Sequence, residues 1–179
     1  MSEQIQDPHR QQRLYWNEMV NLKADASYVR LYRDSQGRWV TWLGALKAIA
    51  SSTGIAAWVV WREYAFVWGA IIAASQLADA LKDVFPFVKK HKAASAHSMT
   101  LDNLFNDVQL EWENIFSGRY SDEEIMNRLH RLRKLQLDAL QHNFPDGLAE
   151  HHRLLVQAKQ IAETYFKSTY YGVNSTSGG

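Results

Sequence analysis

Apolar residues recur at helical spacing through the first part of the chain, from about Pro8 to Arg38, among otherwise polar positions. The recurring positions are Leu14 with Tyr15, Leu22, Tyr28 with Val29, and Tyr32. Since residues three or four apart lie on one face of an α-helix, the pattern predicts an amphipathic helix. The pattern leaves open whether Gly37, near the end of this segment, breaks the helix or bends it.

A long apolar run follows between residues 40 and 61, and its only charge is Lys47. As a helix these 22 residues would extend roughly 33 Å, which is about the hydrocarbon thickness of a bilayer. Trp residues stand in i,i+3 pairs at both ends of the run, where indoles favour the headgroup region. The sequence therefore predicts a membrane span. The predicted interface anchors are Trp39, Trp42, Trp58, Trp61 and Trp68.

A second uncharged run covers residues 64–78, directly after Arg62 and Glu63. The short join predicts an antiparallel helical hairpin. Many residues in both runs are Gly, Ala or Ser, which let helices approach closely in lipid. The second run has only 15 residues, fewer than the roughly 17–25 of a usual span. A buried helical hairpin in a soluble fold is therefore the alternative interpretation.

Lys47 and Asp79 stand at nearly equal distances from the hairpin turn, so they would lie at similar heights. Because an isolated charge within a bilayer costs about 2.5–3.5 kcal/mol, either the two pair inside the hairpin or both snorkel to the interface. The predicted polar face of a pore consists of Lys47, Ser51, Ser52, Gln76 and Asp79. Basic residues flank the hairpin on both outer sides, which predicts cytoplasmic termini.

The second half of the chain predicts a helical unit. Leu101, Phe105, Val108, Trp112 and Ile115 form an apolar seam that ends at Gly118. Ser121 with Glu124 has the form of a capping box for a second helix that reaches Phe144, and a third helix is predicted from Leu148 to Tyr170. The segment 91–98 is small and polar enough for a linker, although its alanines also allow a helix. The predicted fold class is thus all-α, in three parts that cover residues 1–38, 39–90 and 91–179.

Composition and charge exclude several classes of function. The net charge is +1 and there is no Cys, which argues against nucleic-acid binding, disulfides and thiolate metal sites. Neither His151 with His152 nor Asp138 with His142 has a third metal ligand. We expect no enzymatic activity, no metal, no cofactor and no nucleic-acid partner. A basic cluster of Arg128, Arg131, Arg133 and Lys134 is either a gating or ligand patch or a set of paired and solvated side chains.

The order of these parts resembles the SLATT family, two-transmembrane effectors associated with nucleotide-signalling systems. The resemblance covers roughly Leu14 to Tyr170 and includes the hairpin, the basic flank at 89–92, and helices with the sequences LEWENIFSG and SDEEIMNRLHRLRKLQLDAL. It implies a homo-oligomeric protein of the bacterial inner membrane that disrupts the bilayer during antiphage defence and stops growth or kills the host. A nucleotide-signalling or sensor protein is the implied partner. The alternative is a soluble or peripheral helical-bundle protein that binds a protein partner.

Overall fold

The computed structural model describes residues 9–52, 66, 69–70, 73, 76 and 87–172. Residues 66, 69–70, 73 and 76 are helical, and four α-helices cover most of the other described residues. They are α1 (Arg10–Ser52), α2 (Phe87–Phe116), α3 (Asp122–Asn143) and α4 (His152–Tyr170). These ranges contain no strand, which confirms the all-α fold class for the described part of the chain.

The chain divides into two compact units, and the boundary falls within both α1 and α2. The first unit combines Met1–Tyr32 with Ala93–Gly179, and the second covers Arg33–Lys92. The N-terminal helix and the C-terminal helices, which the sequence analysis assigned to separate parts, thus share one hydrophobic core.

The first unit is an antiparallel four-helix bundle. Tyr15 contacts Glu111 while Arg30 contacts Asp102, so the residue numbers of α2 fall as those of α1 rise. The buried side chains recur at steps of three and four residues, which is the spacing of a bundle seam. The seam consists of Tyr15, Met19, Leu22, Ala26 and Val29 in α1, Ala94, Leu101, Phe105, Val108 and Ile115 in α2, Ile125, Leu129 and Leu132 in α3, and Ala158, Ala162 and Phe166 in α4.

The connection between α2 and α3 follows the sequence prediction. Gly118 takes a left-handed φ of 72° and ends α2, because the turn needs a backbone conformation that residues with a Cβ rarely adopt. Ser121 and Glu124 form the predicted capping box: the Glu124 N–H donates to Ser121 Oγ at 3.3 Å, and the Ser121 N–H donates to Glu124 Oε2 at 2.8 Å.

The structure decides two alternatives that the sequence leaves open and moves the start of one helix. Gly37 does not break α1, which continues to Ser52. Residues 91–98 are not a linker but helix within α2, because Ala94 and His97 pack into the bundle. The last helix begins at His152, four residues later than expected, since Tyr28 of α1 binds the backbone before it. The Tyr28 hydroxyl donates to the Ala149 carbonyl at 2.5 Å and accepts from the His151 N–H at 3.0 Å.

No helix of the described ranges is both long and apolar enough to cross a bilayer. The transmembrane part of the predicted fold class therefore has no support there. Most of the predicted hairpin, including residues 53–65 and 77–78, lies outside the described residues.

Candidate functional site

An exposed aromatic surface marks the second unit. Trp39 and Trp42 retain 59% and 74% of their accessible surface, and their spacing of three residues places them on one side of α1. Together with Ser35 and Arg38 they line a shallow hollow of about 380 Å³. We define Trp39, Trp42 and Arg38 as the aromatic surface. Exposed indoles beside a cation are suited to a bilayer interface or to a protein partner.

The aromatic surface is bordered by a second, larger hollow of about 620 Å³ that α1 and α2 line together. Gly37 and His91 are both in its wall. A Cβ at Gly37 would lie only 3.2 Å from His91 Nε2, so the glycine permits the close approach of the His91 ring. This packing gives a local reason for glycine inside a long helix, where it otherwise costs about 1 kcal/mol relative to alanine.

The described charges of the second unit are mainly basic. Asp34 is its one described acidic side chain, and Arg33 pairs with it at 2.9 Å. The described basic residues of the unit are Arg33, Arg38, Lys89, Lys90 and Lys92. Basic side chains in the same unit as exposed indoles favour contact with anionic groups such as the headgroups of acidic lipids.

The structure describes only part of the predicted pore face. Lys47, Ser51 and Ser52 are helical residues of α1, and their side chains lie outside the described part. Gln76 is helical and exposed. Asp79 lies outside the described residues, as do the predicted anchors Trp58, Trp61 and Trp68. The Lys47–Asp79 pair and its snorkelling alternative both stay predictions.

The four basic residues predicted as one patch have different surroundings. Arg128 donates to Glu111 Oε1 at 2.7 Å and lies 3.9 Å from the centroid of the Tyr120 ring. Arg133 pairs with Glu18 of α1 at 2.8 Å. Arg131 and Lys134 are exposed. Two of the four thus hold the bundle together, and two remain open for an external ligand.

Glu111 connects three helices through one carboxylate. Its Oε2 accepts a hydrogen bond of 2.8 Å from the Tyr15 hydroxyl of α1, and its Oε1 accepts from Arg128 of α3. Burial and the adjacent Glu111 carboxylate raise the pKa of Tyr15 far above its usual range, so the hydroxyl remains a donor. Glu111 thus pairs with the basic cluster of α3 through Arg128, whereas Asp102 pairs with Arg30 of α1.

A group of polar residues in the bundle seam was missed by the sequence analysis. His97 and Ser98 of α2 are 3% and 1% exposed, three to four residues from Ala94 and Leu101. Gln136 follows Leu132 of α3 at the same spacing. The sequence signal for such a site is a polar residue at a seam position that is normally apolar. For His97 and Ser98 this signal appears only when residues 91–98 are interpreted as a helix and not as a linker.

Comparison with known proteins identifies no relative of this chain. No protein-family model matches the chain, and neither a curated protein nor a solved structure is similar enough to count as a match. The resemblance to the SLATT family therefore stays a prediction.

Proposed function

We propose that this chain is a non-enzymatic membrane effector that self-associates and permeabilises the bacterial inner membrane, with both termini in the cytoplasm. The observation that carries the proposal is the aromatic surface: Trp39 and Trp42 are exposed at the start of a 22-residue run with a single charge. Such a combination is typical of the point where a helix enters a bilayer.

The exposed indoles provide a sizeable driving force. A Trp side chain offers about 200 Å² of surface, and its burial contributes roughly 25 cal/mol per Å². For the exposed fractions of Trp39 and Trp42 this amounts to about 3–4 kcal/mol each before the costs of binding. The basic side chains nearby would add about 1 kcal/mol each at an anionic surface.

Permeation in this proposal uses the polar residues of the predicted hairpin. Lys47, Ser51, Ser52, Gln76 and Asp79 would face water rather than lipid, because polar groups exposed to the hydrocarbon are strongly disfavoured. Several hairpins must then surround one aqueous path, which requires a homo-oligomer.

The bundle offers a surface for assembly. Leu110 of α2 and Leu135 of α3 are 69% and 43% exposed and border a hollow of about 290 Å³ between these helices. Exposed apolar side chains at one groove are suited to contact with another copy or with a sensor protein. The resemblance to SLATT effectors adds a nucleotide-signalling partner and a role in antiphage growth arrest or cell death to the proposal.

The proposal is tested by carbonate extraction of membranes together with potential-sensitive dye readings in expressing cells. We expect the wild-type chain in the membrane pellet and a loss of membrane potential on induction. Replacing both Trp39 and Trp42 with Ala should move part of the protein to the supernatant. Tyr171→Ala is the matched control, since Tyr171 is an equally exposed aromatic residue of the bundle. Lys47→Ala and Asp79→Ala should leave the protein in the pellet but weaken the loss of potential.

Complete release of the wild-type chain with an unchanged membrane potential would overturn the proposal. That result would favour the second candidate, a soluble or peripheral helical-bundle protein. The same aromatic surface supports it, because exposed Trp and Arg side chains are frequent anchors at protein interfaces. In that case the double Trp variant would lose a protein partner in pull-down experiments while its distribution between membrane and supernatant stayed the same.

A further inference from the structure

A cavity of about 400 Å³ lies within the four-helix bundle. All four helices contribute to its wall, which contains five Leu and one Val. The polar lining consists of Asp25, Tyr28, His97, Arg133, Gln136 and Glu150. Ligand pockets typically have volumes of about 300–1,000 Å³ and combine a mainly apolar wall with a few polar groups. This cavity has both properties.

Two buried polar atoms of the lining have no hydrogen-bond partner among the described residues. His97 is 3% exposed, and its Nδ1 is unpartnered, as is Nε2 of Gln136. The His97 ring also bonds to the backbone of Ala139, which assigns the proton to Nε2 and leaves Nδ1 as an acceptor. Burial lowers the pKa of His97, so the ring is neutral at neutral pH. The cavity therefore presents one unused acceptor and one unused donor.

The charges of the lining select against anions. Arg133 is its single cation at neutral pH, and Glu18 neutralises it through an ion pair of 2.8 Å. Asp25 and Glu150 remain as acidic groups without an ion-pair partner within the described residues. A phosphate or carboxylate would meet these acids, whereas an ammonium group would pair with them.

We propose that the bundle cavity binds a small organic ammonium compound that has an apolar body and a hydroxyl or carbonyl group. The ammonium group pairs with Asp25 and Glu150, and the apolar body lies against the leucines. The hydroxyl or carbonyl group meets the unused atoms of His97 and Gln136. The inference is independent of the membrane proposal, since it rests on bundle residues alone.

Three matched compounds test the chemistry with the purified full-length chain. Tyramine carries an ammonium group, an aromatic ring and a hydroxyl; 4-ethylphenol lacks the ammonium group; 3-(4-hydroxyphenyl)propionate has a carboxylate in its place. Isothermal titration calorimetry should give saturable binding of tyramine at millimolar or lower concentration. We expect 4-ethylphenol to bind about a hundredfold more weakly, because it lacks the charge-assisted contacts to both Asp25 and Glu150, and the propionate not to bind.

Variants locate the binding at this cavity. Asp25→Asn removes the charge at an exposed residue of the cavity rim and should weaken tyramine about tenfold. Gln136→Leu should weaken it without a change in charge. Glu163→Gln is the control, because Glu163 is an exposed acid of α4 outside the cavity.

Several results would overturn the proposal. They are the absence of tyramine binding, preferential binding of the propionate, and equal losses in Asp25→Asn and Glu163→Gln. Circular dichroism of each variant separates a lost site from a lost fold. If Gln136→Leu is unfolded, Asp25→Asn and the compound series still decide the outcome.

Discussion

The hydrogen bonds around Glu111 give a quantitative prediction about the bundle. Glu111→Leu removes the acceptor of both the Tyr15 hydroxyl and Arg128. Tyr15 is fully buried, and a hydrogen bond between a buried neutral group and a charged one contributes about 1.5–3 kcal/mol. The Arg128–Glu111 pair is about one third exposed, so it contributes no more than about 1 kcal/mol. We expect Glu111→Leu to lower the free energy of unfolding by about 2–4 kcal/mol.

A double-mutant cycle separates these contributions. Tyr15→Phe should cost about 1–2 kcal/mol, and the Tyr15→Phe/Glu111→Leu double variant should show a coupling energy of about 1–2 kcal/mol because the two residues share one bond. Arg128→Gln should cost less than either single variant. The measurement is urea unfolding followed by far-UV circular dichroism. Additive effects of the two variants within about 0.5 kcal/mol would refute the assignment, and a dominant cost for Arg128→Gln would show that the ion pair, not the buried hydroxyl, stabilises the contact.

Two further variants test local features of the bundle. Ser121→Ala removes the capping box of α3 and should lower stability by about 1 kcal/mol; an unchanged urea midpoint would contradict this role. Asp25→Asn should change the pH dependence of stability, because partial desolvation of the carboxyl group and the nearby Glu18 carboxylate raise the pKa of Asp25 from 3.8 to about 6. The native state then binds its proton more tightly than the unfolded state, so stability falls as pH rises from about 4 to 6. The shift alone corresponds to about 3 kcal/mol, which solvent at this exposed residue reduces to about 1 kcal/mol. The variant should thus be more stable than the wild type at about pH 7.5 and similar to it below about pH 4. Unfolding curves at both pH values measure this. The same difference in free energy of unfolding at both values would contradict the reasoning. The other titratable groups that line the same cavity are His97, Tyr28, Arg133 and Glu150.

Sequence patterns predicted the features that depend on neighbours in the chain. The seam from Leu101 to Ile115, the end of α2 at Gly118 and the capping box of α3 each arise within a few residues. Periodicity and capping chemistry therefore suffice to locate them.

The same patterns could not predict contacts between distant parts of the chain. Tyr15 meets Glu111 across 96 positions, and Arg133 meets Glu18 across 115. A cluster of basic letters in one helix does not reveal which acid of another helix lies beside each residue. For this reason Arg128 and Arg133 were grouped with Arg131 and Lys134, although the structure gives them different roles.

Composition alone is a poor guide to structure where burial in the bundle decides it. Residues 91–98 are small and polar, which is typical of linkers, yet Ala94 is fully buried in the seam of α2. The alanines supply helix propensity, and the packing of the bundle adds the rest. The burial of His97 is likewise visible only once the segment is helical.

The two ends of the bundle differ in how they are packed. At one end Trp16 contacts Trp112, Phe166 and Tyr170 with ring centroids 4.9–5.1 Å apart. At the other end the cavity lies beside a second aromatic group, in which Tyr32 contacts Tyr28, Phe144 and His151, and His97 packs edge to face against Phe144. Buried polar atoms without partners lower stability, so His97 Nδ1 and Gln136 Nε2 impose a cost at this end that a bound ligand would relieve. Arg133 and Tyr28 line the cavity and also bind Glu18 and the backbone before α4, so a ligand in the cavity would contact residues that hold the helices together.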